Sequence, residues 1–140
     1  PYANIISYTK SKKIEGDLSQ LPLKDYLTEM RKVAEESFRV LKPNKICAIL
    51  IGDTRKHKHY VPIALFILQI FLDVGFVLKE DIIKLQWNMK ATKKFWNPKK
   101  KEHDFYLIAH EHIFVFRKPE SQKEYKKYKY SSKVWMNGQI

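Results

Sequence analysis

Six consecutive apolar residues, Ile46-Cys47-Ala48-Ile49-Leu50-Ile51, constrain the fold of this chain more than any other feature. A run this short, rich in β-branched isoleucine, reads as a strand over 45–51 buried on both faces of a parallel sheet. Gly52-Asp53 ends it. Before it, Leu27, Met30, Val33, Ala34, Phe38 and Leu41 recur at three- and four-residue spacing, a helix from about Leu23 to Leu41 that Pro43-Asn44 stops. After it, Pro62 opens a second helix, apolar nearly all round to about Val74, with Gly75 as its C-cap. Phe76 to Gln86 reads as one strand with a break near Glu80-Asp81, Phe105 to Ala109 as a short strand, and His112 to Arg117 as the last. Residues 1–20, Thr54–Tyr60 and 88–104 read as loops.

Strands alternating with helices imply an α/β sheet with parallel members. The final two strands, with no helix between them, imply an antiparallel strand at the end. Two helices are too few to cover both faces of such a sheet, so the expectation is that part of the fold lies outside this chain. The start at Pro1, without an initiator Met, agrees with a chain processed, cut or excised from something longer.

Charge narrows the partner. The 27 Lys+Arg outnumber 15 Asp+Glu, a net +12 that favours a polyanion, either nucleic acid or an anionic membrane surface. The longest apolar stretch, Val61 to Leu72, is interrupted by Pro62 and Gln69 and falls short of the roughly 20 residues a membrane span needs. No signal peptide opens the chain. Hydrophobic residues at 44% supply a core, which excludes a disordered chain. The single cysteine, Cys47, excludes an internal disulfide and any cysteine-rich zinc spacing, and points to a reducing interior.

Ligands gather at the carboxyl ends of strands in open α/β sheets. That places Asp53 as a site-lining residue and Arg55, Lys56 and Lys58, in Arg55-Lys56-His57-Lys58-His59, as DNA-phosphate contacts. A solvated charge run is the plainer alternative. In 88–104, Lys93, Lys94 and Trp96 combine phosphate-binding and base-stacking chemistry. His57 and His59 lack a third metal ligand, and His110-Glu111-His112 reads as strand-end polar residues, so no metal is expected.

Several strings carry a resemblance. The chain opens Pro1-Tyr2; Asp25 to Pro43 contains Asp-Tyr-Leu and Phe-Arg-Val-Leu-Lys-Pro; Ile51-Gly52-Asp53-Thr54-Arg55 ends the first strand; Tyr60-Val61-Pro62-Ile63 leads to Gly75-Phe76; Ala109 to Lys118 forms the last. In order and spacing, from Pro1 to about Lys118, these resemble the second half of the DNA N6-adenine/N4-cytosine methyltransferase family. The resemblance implies a partial Rossmann-like fold, a partial catalytic domain over 1–118 and a basic tail over 119–140. It implies methyl transfer from S-adenosylmethionine to an exocyclic amine of adenine or cytosine. Pro1-Tyr2 would close the family's Asp/Asn/Ser-Pro-Pro-Tyr motif, with Tyr2 stacking on the flipped base and Pro1 stiffening the turn.

The family's Gly-x-Gly cofactor turn is absent, because the four glycines are Gly16, Gly52, Gly75 and Gly138. The S-adenosylmethionine pocket is therefore expected mostly outside this chain, in an N-terminal half or a complementary subunit, and the isolated chain is expected to be inactive. The partner expected is DNA, in a prokaryotic cytoplasm, with a homo-oligomer as a further outcome of an exposed sheet edge. The rival readings are a basic nucleic-acid-binding module without chemistry and an RNA methyltransferase of the same superfamily.

Overall fold

A computed structural model describes residues 15–86, 105–106 and 108–133. Helix α1 spans Leu23–Val40, strand β1 Ile46–Ile51, a short hairpin β2 Thr54–Lys56 and β3 His59–Val61, helix α2 Ile63–Val74, strands β4 Val77–Leu85 and β5 His110–Arg117, and a short helix α3 Gln122–Lys127. One turn of 3-10 helix, Leu18–Gln20, precedes α1, capped by Asp17, whose side chain accepts the Ser19 N–H at 2.9 Å.

The main sheet has the order β1-β5-β4. β5 runs antiparallel to both neighbours, so β1 and β4 point the same way without touching. The antiparallel last strand matches expectation, but it inserts between the two strands that were expected to include direct parallel partners. Among the described residues every strand pairing is antiparallel.

Both long helices lie on one face of this sheet and share one core. Tyr26, Met30 and Ala34 of α1 meet Ile67 and Phe71 of α2, and these meet Ile51, Phe76, Phe114 and Phe116 beneath. The sheet residues on that face follow the period of two: Cys47 pairs with Phe116, Ile49 with Phe114, Ile51 with His112. At the centre the Phe71 and Phe116 rings stack at 4.8 Å, and Phe38 meets Phe76 edge-on at 5.0 Å.

The opposite face corrects the expectation that 45–51 is buried on both sides. Ile46, Ala48 and Leu50 alternate outward, and Ile46 and Leu50 are 43% and 44% exposed. Ile113, opposite Leu50, and Ile82, opposite Ile113, continue the patch. An unbroken apolar run reports apolarity on both faces, but it cannot report whether a covering layer is present. On this face the described residues leave Ile46, Leu50 and Ile82 exposed, while Glu111 is buried.

Other boundaries hold closely. Gly75 closes α2 at φ +120°, and a Cβ there would meet the Tyr125 hydroxyl at 3.0 Å and the Phe38 ring at 3.3 Å. The expected break near Glu80-Asp81 is a register shift between Leu78 and Glu80, a bulge one residue earlier. No strand forms at the described positions between Phe105 and Ala109. Beyond β5, Arg117 holds the Glu124 carboxylate and the Tyr128 hydroxyl at 2.8 Å each, and the Tyr125 hydroxyl donates to Gly75 O at 2.6 Å, docking α3 beside the end of α2.

Burial pushes the Tyr26 phenol from 10 up to about 12. Below pH 10 that phenol is neutral in both folded and unfolded chains, and its contribution to stability is whole. Between pH 10 and 12 the unfolded chain releases the proton first, so folding should lose about 2–3 kcal/mol across that window. Urea midpoints for the wild type and Tyr26→Phe at pH 9 and pH 11 check this. The alkaline fall should shrink in the variant, and an equal fall in both would show that Tyr26 is not responsible.

Candidate functional site

The chain leaves β1 at Ile51, passes the buried Gly52 and reaches Asp53, whose side chain is only 2% exposed. Asp53 Oδ1 accepts the Ala64 N–H at 2.7 Å, and Oδ2 accepts the Tyr60 hydroxyl. The N-cap of α2 is Pro62, which has no side-chain oxygen to satisfy the open N–H groups of the first turn. Asp53 supplies that acceptor from outside the helix, with its negative charge at the positive end of the helix dipole. Desolvation first, then the bond to Asp53, pushes the Tyr60 phenol up to about 12, so it serves as a neutral donor.

Strand β5 brings a second group to the same place. Its period of two puts His110, His112 and Phe114 on the helix-covered face. His112 lies between Ile51 of β1 and Ile83 of β4. Its Nδ1 is 3.0 Å from Asp81 Oδ1, and its Nε2 is 3.9 Å from Asp53 Oδ2. The imidazole stacks on Phe114 at 5.2 Å, and the His110 ring meets it edge-on at 5.2 Å. Glu111 points to the other face and pairs with Lys84 at 2.7 Å.

Thr54–Tyr60, expected as a loop, is instead the β2–β3 hairpin, with Thr54 opposite Val61 and Lys56 opposite His59. His57 and Lys58 form its two-residue turn at φ 51° and 68°. Positive φ at both turn positions is the backbone that normally selects Asn-Gly, so the turn type was hidden by the residues that occupy it. His57→Asn with Lys58→Gly should therefore raise stability by about 1 kcal/mol, the relief of left-handed strain being partly offset by the extra freedom of glycine in the unfolded chain. Urea denaturation measures it, and a loss of stability would contradict the turn.

Of the residues expected to meet DNA, Lys56 and Lys58 stand exposed at the hairpin tip. Arg55 also has partners within the chain. Its guanidinium donates to Tyr106 O at 2.6 Å and Lys58 O at 3.2 Å, and lies over the Phe105 ring at 4.7 Å. Pro1, Tyr2, Lys93, Lys94 and Trp96 lie outside the described residues. A cavity of about 750 Å³ at the start of α1 is lined by Glu15, Asp17, Asp25 and Glu29, carboxylates that repel phosphate. The approach of His110 and His112 to Asp53, and of Asp81 to His112, was not foreseen, although the His-x-His alternation within a strand does signal that both histidines share a face.

A family model described as DNA methylase (N6_N4_Mtase) matches residues 1–138. No curated protein sequence matches the chain. Among solved structures, a candidate DNA modification methylase of Thermus thermophilus is similar at 22% identity and a TM-score of 0.54, covering 74% of this chain and 42% of its own. The same protein complexed with S-adenosyl-L-methionine gives 22% identity and a TM-score of 0.55 over 84% of this chain and 50% of that one. The chain thus spans about half the length of the solved relatives it matches. With a family match across nearly its whole length and a shared fold, this chain belongs to the DNA methylase family.

Proposed function

We propose that this chain is the target-base side of an S-adenosylmethionine-dependent DNA amino-methyltransferase that modifies adenine N6 or cytosine N4. The observation that carries this reading is the family match across residues 1–138. In such a site, Tyr2 stacks on the extruded base and Pro1 holds the turn that presents it. Lys56 and Lys58 of the hairpin, with Lys93, Lys94 and Trp96, track the DNA backbone and its displaced bases. Arg55 braces the hairpin, and Asp53 fixes the hairpin to the start of α2.

The described residues do not fit S-adenosylmethionine. A nucleoside cofactor needs close backbone approach at a glycine-rich turn. Here the space beside Gly75 is filled by Tyr125 and Phe38, Gly52 is buried at a strand end, and Gly16, with open space around it, stands alone in a cavity lined by carboxylates without a second glycine beside it. The cofactor pocket is assigned to a complementary half or subunit, and the exposure of Ile46, Leu50 and Ile82 among the described residues supports that assignment. The chain alone is then inactive.

Expression of the complete gene in a host lacking DNA methylases, followed by mass spectrometry of the host nucleosides, tests the reading and settles the target base. A rise in N6-methyladenine or N4-methylcytosine supports it. Unmodified DNA with folded protein present favours an RNA substrate or a binding module without chemistry. In the active protein, Tyr2→Ala should lower kcat/KM roughly ten- to a hundred-fold, the worth of one base–aromatic stack. Lys56→Ala with Lys58→Ala should reduce the magnitude of the salt slope of DNA binding by about 2.

A further inference from the structure

We propose that Asp53, His110 and His112 form a binding site for one divalent transition-metal ion of the Zn²⁺ class, with Asp81 orienting His112. One carboxylate oxygen of Asp53 and one ring nitrogen of each histidine all lie within 4.8 Å of one another. Two donors bound 2.0–2.1 Å from a common tetrahedral ion stand about 3.4 Å apart. The 3.9 Å between His112 Nε2 and Asp53 Oδ2 is close to that value and too long for a hydrogen bond between them.

The surroundings of the histidine point the same way. Asp81 stands 3.0 Å from His112 Nδ1, on the side of the ring away from Asp53, so Nε2 is the ring nitrogen that faces the carboxylate of Asp53. A carboxylate on the far nitrogen of a ligating histidine is also the usual outer-shell partner of a metal site. Asp53 keeps a lone pair for the ion, since each of its oxygens accepts one hydrogen bond, from Ala64 N–H and from the Tyr60 hydroxyl. Phe114 holds the His112 ring from one side. Imidazole and carboxylate donors suit Zn²⁺, Co²⁺ and Ni²⁺ over Ca²⁺ or Mg²⁺.

Three protein ligands leave a fourth position for water. The ion would tie the end of β1 to the start of β5, next to the exposed lysines of the hairpin. The site stands on these contacts alone and is independent of the methyltransferase reading.

Isothermal titration of the protein with ZnCl₂ in a non-chelating buffer, with thermal unfolding in parallel, tests it. One Zn²⁺ per chain and a rise in Tm are expected in the wild type and in His57→Gln/His59→Gln, which removes the hairpin's own histidines. His110→Gln should abolish both signals, and Asp81→Asn, at a half-exposed position, should weaken binding about 10- to 100-fold. Absence of stoichiometric binding in the wild type overturns the proposal. So does binding that disappears with His57 and His59 but survives His110→Gln.

Discussion

Phe116→Ala is expected to destabilise the fold by about 3–5 kcal/mol, out of a total that for a domain of this size is about 5–15 kcal/mol. Phe116 is fully buried on the central strand, stacked on Phe71 at 4.8 Å, with Phe76 at 5.8 Å and Phe114 at 6.0 Å. Cys47 and Leu78 flank it across the two neighbouring strands. Phe71 is held by its helix, Phe114 by its strand and Phe76 by its N–H bond to Phe71 O at 3.1 Å, so the walls of the cavity cannot collapse to refill it, and the lost dispersion adds to the lost transfer energy. Phe116→Leu keeps most of the volume and should cost about 1–1.5 kcal/mol. Chemical denaturation of both variants gives the comparison. A loss under about 1 kcal/mol for Phe116→Ala would mean that the aromatic cluster does not hold the helices to the sheet.

Ile82→Ala supplies the contrast, because Ile82 lies on the uncovered face and is 49% exposed. In the chain by itself it should cost less than about 1 kcal/mol, since little burial is lost. If a complementary half covers that face, the same substitution should cost more in the assembled protein than in the chain alone. Equal costs in the two settings would argue that the face stays open.

What the sequence disclosed followed the strength of its periodicities. Helices α1 and α2 and strands β1 and β5 came within two residues of their observed ends, because each carries a long apolar pattern bounded by Pro, Gly or Asn. The β2–β3 hairpin did not, because His57-Lys58 adopts a turn backbone that its residue types disguise. Burial of β1 on both faces was the wrong conclusion from a correct strand, since covering layers are a property of other segments. The family was legible because several modest strings stood in the right order, and the match over residues 1–138 agrees with it. The site was legible only in part. Asp53 was placed at the end of β1 from local sequence, but its partners come from Tyr60, Ala64, His110 and His112, and only the register of β5 between β1 and β4 brings the histidines to it.

Asp53→Ala should cost about 2–4 kcal/mol, a large effect for a residue outside the apolar core. Two hydrogen bonds end on this carboxylate, each to a charged acceptor and each worth about 1.5–3 kcal/mol before relaxation. One of them is a side-chain bond to the first turn of α2, whose own N-cap residue makes none, and loss of such a cap alone costs about 1 kcal/mol. The Tyr60 hydroxyl, at the rim, can turn to water, which is why the sum stays below the two bonds taken at full strength. Asp53→Asn keeps an oxygen of the same shape but surrenders the charge that faces the helix dipole, so it should cost roughly half as much. A double-mutant cycle with Tyr60→Phe isolates the pair, with a coupling of about 1–2 kcal/mol expected. If Asp53→Ala is nearly neutral, or the coupling is nil, Asp53 does not anchor the hairpin to α2. If the coupling is present and Lys56 and Lys58 meet DNA as proposed, loss of Asp53 should also lower DNA affinity, because their strand pair would no longer be held against the end of β1.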